Sequence, residues 1–356
     1  MIERSRFGVL ADGTSIERID LSLDGGFSIG VISLGATLQA LWAPDRDGRL
    51  ASVILGYPTL DDYLAASDYF GATIGRYANR IAQGRFELDG VQYQIACNEG
   101  EHALHGGRDG FDRRPWRVLQ VDDNPERPSV CLGLDSPAGD QGFPGALTMT
   151  VTYTLVAPGD VVISYEAHTD APTVFNPTNH AYFNLAGEGE GTILDHAATI
   201  LADRFLPVDE KLIPLGEQCD VAGTVFDFRE SKRFGRDIES SDPQIQRGHG
   251  YDHCFVLSAS DRSSGPKLAA RIIEPAHGRT LEALTTEPGL QLYTGNMLSG
   301  RHAGPSGRAY GRSGGFCLET QHFPNAPNLA DFPATVLRPG QVYRSTTIYR
   351  LGCSSR

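Results

Sequence analysis

The feature that most constrains the fold is a two-residue alternation of apolar and polar side chains, interrupted by turn-forming residues. Residues 146–167 read ALTMTVTYTLVAPGDVVISYEA, with apolar side chains at every second position on both sides of Pro158-Gly159-Asp160. Residues 84–95 repeat the pattern around Asp89-Gly90, and residues 31–57 repeat it around a turn at 45–48. Because successive side chains of a strand point to opposite faces, this alternation predicts hairpins of half-buried strands.

Turn residues are spread along the whole chain, whereas helical signals are few. The 356 residues include 41 glycines and 21 prolines, and neither a helix–strand alternation nor a fixed repeat recurs. The helix-start signal is in TLDDYLAAS, where Thr59 stands three residues before Asp62. Glycine clusters such as GEGEG at 187–191 predict turns, because their acids would repel a phosphate. The sequence therefore predicts an all-β fold, a sandwich or a barrel.

Length and charge limit the number of domains and the kinds of partner. A chain of this length suggests about two domains, although all-β architectures of this size often form one. Acidic residues number 44 against 31 basic ones, a formal net charge of −13. A nucleic acid or an anionic membrane would need a cluster of basic residues, which the sequence lacks. A neutral small molecule is the partner that the charge favours.

The termini and the cysteines predict a cytoplasmic location. MIERSRFGVLADG at the start has no apolar leader segment, unless one has been removed, and no later segment approaches the length of a membrane span. The six cysteines are widely spaced without a C-x-x-C pair, which is typical of reduced thiols in a cytoplasmic protein. We expect no membrane association and a monomer or a homodimer.

The segment FCLETQHFPNAPN at 316–328 places a carboxylate in the middle of a strand-like run. Alternation puts Cys317, Glu319 and Gln321 on one face, and that face is mixed in polarity. An ordinary surface acid is one interpretation of Glu319, since glutamate is seldom fully buried unless it is paired. A functional carboxylate is the other, and the remaining polar segments bear on the choice.

Several short segments are dense in histidine, asparagine, arginine and aspartate. They are GRYANRI with Asn79 and Arg80, HALHGG with His102 and His105, TNHAYFNL with His180, GHGYDHCF with His249, Asp252 and His253, and GLQLYTGN with Gln291. Neighbouring histidines could bind a metal, but H-E-x-x-H and C-x-x-C spacings are absent, so we expect no metal. Each residue could also cap a turn or form a surface ion pair. Together, without a nucleophile motif or a cofactor cradle, they suit a polyhydroxylated ligand.

Eight motifs, in the same order, make the chain resemble the aldose 1-epimerase (galactose mutarotase) family. They are GRYANRI, LHGGRDGFDRRPW, GDQGFPG, TNHAYFNL, GYDHCFVL, EPGLQLYTGN, CLETQHFPNAPN and LRPGQVYRSTTIYRL. The resemblance extends nearly from end to end. It implies a single domain over residues 1–356, a large β-sandwich of the galactose mutarotase-like supersandwich type, a shallow sugar site, and catalysis without a metal or an organic cofactor.

The resemblance also implies an activity and a set of site residues. Members interconvert the α and β anomers of free aldohexoses such as galactose and glucose. By motif, Glu319 corresponds to the general base and His180 to the general acid. The positions that correspond to sugar binding are Asn79, Arg80, His105, Asp252 and Gln291. Glutamate and histidine, with unperturbed pKa values of about 4.3 and 6.5, are a usable acid–base pair near neutral pH.

Other functions on the same fold are left open. One is a noncatalytic sugar-binding protein, against which the presence of both Glu319 and His180 speaks. A second is a glycosidase that uses a carboxylate pair such as Glu319 and Asp252. A third is a hexose-6-phosphate epimerase, whose dianionic substrate needs extra basic residues. The preferred aldose is left open as well.

Overall fold

The regular secondary structure of the protein is almost wholly antiparallel strands, as the alternation predicts. The computed structural model describes residues 1–257 and 265–354. In chain order its first strands are β1 (Ile2–Val9), β2 (Ser15–Ser22), β3 (Ser28–Ile32), β4 (Thr37–Pro44), β5 (Leu50–Ser52), β6 (Thr73–Ile74), β7 (Arg80–Ile81), β8 (Arg85–Leu88), β9 (Val91–Gln94), β10 (Ala103–Leu104), β11 (Arg117–Asp122), β12 (Ser129–Ser136), β13 (Leu147–Val156) and β14 (Asp160–Thr169). The later strands are β15 (Thr173–Val174), β16 (Thr178–Asn179), β17 (Tyr182–Phe183), β18 (Ala197–Ile200), β19 (Arg204–Phe205), β20 (Cys219–Asp220), β21 (Lys232–Arg233), β22 (Asp252–Val256), β23 (Lys267–Ile273), β24 (Arg279–Thr285), β25 (Gly289–Tyr293), β26 (Phe316–Gln321), β27 (Val336–Leu337) and β28 (Tyr343–Cys353).

Three large sheets contain most of these strands. A nine-stranded sheet has the order β11-β12-β13-β14-β28-β24-β23-β18-β21, and a six-stranded sheet has the order β17-β26-β25-β22-β19-β20. The N-terminal five-stranded sheet runs β1-β2-β3-β4-β5, so each strand pairs with its neighbour in sequence. Two-stranded ladders join β6 to β16, β7 to β10, β8 to β9 and β15 to β27. The ladder of β7 and β10 and the six-stranded sheet supply most of the predicted site residues.

The six-stranded and nine-stranded sheets pack face to face, which makes the fold a β-sandwich. Leu318 of β26 and Val151 of β13 are fully buried members of the same hydrophobic core. Two polar contacts cross the same layer: the Tyr349 hydroxyl donates to the Leu318 carbonyl at 2.9 Å, and the hydroxyls of Thr320 and Thr347 are 2.5 Å apart. The predicted all-β sandwich is confirmed, and the face of β26 that carries Glu319 points away from this core.

The local turn and cap signals are confirmed. Asp89 and Gly90 join β8 to β9 with φ of 52° and 80°, the left-handed values that a two-residue hairpin turn requires. The turn at 45–48 joins β4 to β5. The Thr59 hydroxyl accepts from the Asp62 backbone N–H at 3.2 Å and starts helix α1 (Leu60–Ala65).

A second short helix, α2 (Pro243–Gly248), was missed by the sequence analysis. Its start carries a usable signal, since Asp242 caps it by accepting from the Gln244 N–H at 2.8 Å and a proline follows at the first helical position. Single 3-10 turns lie at Ala82–Gly84, Phe111–Arg113, Asp140–Gly142, Phe234–Arg236 and Ala326–Asn328. In the described residues, the helices are all too short or too polar to span a bilayer.

Candidate active site

The floor of the candidate site is the outward face of three adjacent strands, β22, β25 and β26. Gln291 pairs directly with Glu319, and Tyr293 pairs with both Cys317 and Asp252. Directly paired residues share a face of a sheet, as do residues two apart on one strand. The register therefore brings Asp252, Gln291 and Glu319, which are widely separated in sequence, onto one surface.

Two loops place the next site residues beside that surface. Leu104 of β10 pairs with Arg80 of β7, so that His105 lies next to Asn79. The backbone N–H of Asn79 donates to Nδ1 of His105 at 3.1 Å, and the N–H of His105 donates to the Asn79 carbonyl at 3.1 Å. Both residues have left-handed φ, 62° for Asn79 and 52° for His105, a conformation in which Asn and His are enriched. This double contact fixes the His105 ring relative to the Asn79 backbone.

Glu319 and His180 form a buried pair at the centre of the site. Their side chains are 3% and 5% exposed, and His180 Nε2 lies 3.6 Å from Glu319 Oε1. The imidazole stacks between the rings of Tyr69 and Tyr182, at centroid distances of 5.7 and 5.0 Å. The surface-acid interpretation of Glu319 is thus wrong, and the carboxyl and imidazole face one another in fixed orientations.

The surroundings move the pKa values of this pair in opposite directions. Burial, and then the charge of Asp252, raise the pKa of Glu319 well above its ordinary value, while Arg80 opposes the shift. Burial lowers the pKa of His180 to about 4, against a small opposing effect of its own backbone carbonyl. Between those two pKa values the pair carries one proton. A pair with one proton has both a group that can donate and a group that can accept, as acid–base catalysis requires.

His105 is a neutral hydrogen-bond donor in this arrangement. Burial first, and then His180 and Arg80, lower its pKa well below the ordinary value. Because Nδ1 accepts from the Asn79 N–H, the single ring proton is on Nε2.

A metal fits this trio poorly. Ligand atoms of His105, His180 and Glu319 lie within 4.8 Å of one another. Zinc needs a free nitrogen lone pair at about 2.0–2.1 Å, however, and on neutral His105 the Nδ1 lone pair is engaged and Nε2 is protonated. The sequence also offered His253 and its neighbours as possible metal ligands. In the structure, His253 Nε2 lies 3.1 Å from the Gln244 amide oxygen, which is a structural contact within the protein.

Arg80 and Asp252 each have a partner beside the pair. The Arg80 guanidinium binds both carboxylate oxygens of Glu99, with Nε and Nη2 at 2.6 Å from them. The Gln291 amide donates to Asp252 Oδ1 at 2.6 Å. Burial raises the pKa of Asp252, whereas Arg80 and Gln291 lower it. The sequence did not predict Glu99 as a site residue, because nothing in its local sequence distinguishes it from a surface acid.

Several buried polar atoms on the site face have no hydrogen-bond partner among the residues that the structure describes. They are Oε1 of Gln291, Oε2 of Glu319, and both side-chain amide atoms of Gln321. A buried polar atom without a partner costs about 1–3 kcal/mol, so such atoms are favourable positions for ligand hydroxyls. Gln321 was placed on this face by the alternation but was not predicted as a site residue.

The second half of the segment 316–328 holds in place the chain segment around Asn79 and Arg80, here called the Arg80 loop. The Asn325 backbone N–H donates to the Arg80 carbonyl at 2.8 Å. The fully buried Asn176 connects the same two segments, because its Oδ1 accepts from the His322 N–H at 2.8 Å and its Nδ2 donates to the Ala78 carbonyl at 3.3 Å. The strand that carries Glu319 and the loop that carries Arg80 are therefore joined by the protein's own hydrogen bonds.

Comparison with known proteins decides the family. The family model described as aldose 1-epimerase matches residues 17–350. The chain belongs to the aldose 1-epimerase family. It is 45% identical over 349 residues to a protein of Sus scrofa named galactose mutarotase, covering 97% of each chain. It is 38% identical over 341 residues to aldose 1-epimerase of Escherichia coli, covering 95% of this chain and 96% of that one.

Solved structures of the aldose 1-epimerase family share the fold. The crystal structure of galactose 1-epimerase from Lactobacillus acidophilus has a TM-score of 0.87 at 29% identity, over 100% of this chain and 99% of the other. An aldose epimerase homologue from C. elegans gives 0.86 at 30% identity, over 95% of this chain and 99% of the other. The family and the mutarotase-like sandwich predicted from eight motifs are confirmed.

Proposed function

We propose that the protein is an aldose 1-epimerase that interconverts the α and β anomers of free aldohexoses such as galactose and glucose. The observation that carries the proposal is the buried pair of Glu319 and His180, in which Glu319 Oε1 and His180 Nε2 are 3.6 Å apart. The family membership and a 45% identical relative named galactose mutarotase support the same activity. Around the pair, the polar atoms that have no partner in the described part of the chain suit a ligand with many hydroxyls.

Ring opening uses both members of the pair. Opening starts from the form of the pair in which its one proton is on His180 Nε2 and Glu319 is ionised, whereas the pKa values favour the form with that proton on Glu319. The Glu319 carboxylate takes the proton of the anomeric hydroxyl, while His180 Nε2 gives its proton to the ring oxygen and the bond between C1 and the ring oxygen breaks. The open-chain aldehyde turns about the C1–C2 bond. Closure returns each proton by the reverse path and gives either anomer. Each positioned proton-transfer group contributes roughly 10²- to 10⁴-fold to the rate.

The neighbouring residues bind and orient the sugar. His105 donates its Nε2–H, and Arg80, with Asn79 beside it, supplies a fixed positive charge near the oxygen that develops negative charge. Asp252 and Gln291 hold hydroxyls, since the Gln291 Oε1 atom has no hydrogen-bond partner within residues 1–257 and 265–354.

The charges of the site favour an unphosphorylated sugar. Among the seven predicted site residues, Arg80 alone is a permanent cation, and two of its nitrogens, Nε and Nη2, are already bound to Glu99. Glu319 and Asp252 add acidic groups to the same surface. A phosphate dianion at this position would be repelled, so we expect hexose 6-phosphates to be poor substrates.

Polarimetry of freshly dissolved α-galactose and α-glucose tests the proposal. The wild-type protein accelerates the approach to anomeric equilibrium, a chelator has no effect, and Glu319→Gln loses roughly 10²- to 10⁴-fold of the catalysed rate. Glu282→Gln, which changes an acid that pairs with Arg271 on the outer surface, is the matched control and keeps wild-type activity. Absence of acceleration on every aldose, or release of reducing sugar from an aryl glycoside, would contradict the proposal.

We also propose a reducing, cytoplasmic environment and a monomeric or homodimeric state. All six cysteines are free thiols, which supports the first point. Cell fractionation tests the location, and light scattering of the purified protein tests the assembly.

A further inference from the structure

A buried thiol touches the catalytic histidine on the side opposite to the carboxyl. Cys317 lies two residues before Glu319 on β26 and shares its face. Its Sγ is 3.5 Å from Nδ1 of His180, and both side chains are buried. Burial raises the pKa of the Cys317 thiol well above its ordinary value, so the group stays protonated. His180 is thus contacted at one ring nitrogen by sulfur and at the other by Glu319.

The proton cycle assigns different duties to the two ring nitrogens. Nε2 faces Glu319, gives a proton to the ring oxygen during opening, and takes it back during closure. After Nε2 has given its proton, the neutral ring must carry its remaining proton on Nδ1. A neutral ring with its proton on Nε2 would have no lone pair there to receive the proton back. Sulfur is a weak hydrogen-bond acceptor, and the Cys317 Sγ atom lies where an Nδ1–H would point.

We propose that Cys317 is a positioning residue for mutarotation: its sulfur accepts a hydrogen bond from His180 Nδ1–H and keeps Nε2 as the nitrogen that exchanges protons. The inference deepens the proposed function and rests on it for its kinetic part. The tautomer of His180 is a property of the protein alone and is measured without any substrate.

The test combines ring-nitrogen NMR with steady-state kinetics on galactose. Protein labelled with ¹⁵N-histidine is compared as wild type, Cys317→Ser and Cys317→Ala, with Cys131→Ala as a control at a cysteine of β12 that lies outside the site. In the wild type and in Cys317→Ser, whose hydroxyl also accepts, His180 shows the Nδ1–H tautomer at neutral pH. In Cys317→Ala, kcat falls about tenfold with KM nearly unchanged, and the His180 ring moves toward the Nε2–H tautomer. In Cys317→Ser, kcat stays within about threefold of the wild-type value.

Two results would overturn the inference. One is an Nε2–H tautomer in the wild type. The other is a folded Cys317→Ala protein that keeps both the wild-type tautomer and the wild-type kcat. If the alanine variant does not fold, Cys317→Val refills most of the volume without an acceptor and gives the same comparison. A wild type without mutarotase activity but with the Nδ1–H tautomer would refute the proposed function and leave the positioning contact established.

Discussion

At the scale of single residues, the chemistry of the site comes from where two ordinary side chains are placed. Burial disfavours the charged form of both, so it raises the pKa of Glu319 and lowers the pKa of His180 to about 4. The pair consequently keeps one proton over a wide pH range. In water the same two groups would carry one proton only between about pH 4.3 and 6.5, and that proton would be on the histidine.

The first prediction concerns the pH dependence of kcat/KM. Below about pH 4 His180 takes a second proton while Glu319 is protonated, so the base is lost and activity falls. Above the raised pKa of Glu319 the pair loses its only proton, so the acid is lost and activity falls again. Rates measured by polarimetry from acid to alkaline pH, with circular dichroism as the control for folding, check this. An acid limb near the ordinary histidine pKa would contradict it.

Sequence alone could predict the face of Glu319 but not its burial. Alternation places Cys317 and Gln321 beside it, and the family motifs give it a role. The contact between Cys317 and His180, which are 137 residues apart, depends on the pairing of β17 with β26. Glu99 was missed for the same reason, because its partner Arg80 is defined by folding and not by local pattern.

At the scale of elements, the site depends on strand register and on a brace between two segments. A shift of one residue in β26 would turn Glu319 into the sandwich core. The brace is Asn176, whose carboxamide joins the segment before Asn79 to the end of β26. The strands themselves could be predicted from alternation, whereas the brace could not, because its partners lie 98 and 146 residues away from it.

The second prediction tests that brace. Asn176→Ala removes the bonds to Ala78 and His322, so the Arg80 loop and Glu319 lose their fixed separation. We expect about 10- to 100-fold lower kcat/KM and about 1–3 kcal/mol lower unfolding free energy. Asn124→Ala, in an exposed turn, is the control and changes neither quantity beyond about 0.5 kcal/mol or twofold. Wild-type values for Asn176→Ala in both assays would show that the brace is dispensable.

At the scale of the whole molecule, one hydrophobic core draws on all three large sheets. It includes Leu41 of β4, Val151 of β13 and Leu318 of β26, all fully buried. The family resemblance predicts one domain over residues 1–356, and this shared core favours the same conclusion.

The third prediction follows from that core. Denaturant unfolding gives a single cooperative transition, with fluorescence and circular dichroism curves that coincide. Two separated transitions would contradict the one-domain prediction.

The fourth prediction concerns acid stability through a buried histidine outside the site. Burial lowers the pKa of His196 to about 4, and its Nε2 accepts from the Leu185 N–H at 3.0 Å. The unfolded chain, with a histidine pKa of about 6.5, binds this proton first as pH falls, so the stability contribution is lost between about pH 6.5 and 4. His196→Gln reduces the difference in unfolding free energy between pH 7 and pH 5 by about 2 kcal/mol.

Urea titrations at pH 7 and pH 5 give that difference. His168→Gln, at an exposed histidine beside Glu166, is the matched control and leaves the difference unchanged. Equal pH dependence in the wild type and in His196→Gln would rule out this histidine as a source of acid lability.

The central claim is that Glu319 and His180 act as one proton-sharing unit, and NMR exchange between the α and β anomers of galactose at equilibrium tests it most directly. The wild type, Glu319→Gln, His180→Gln and the double variant are compared at equal concentration. Groups that act as a unit are not additive, so each single variant loses roughly 10²-fold or more and the double variant is no slower than the slower single one. Losses that multiply in the double variant, or a single variant with wild-type exchange, would contradict the shared-proton mechanism.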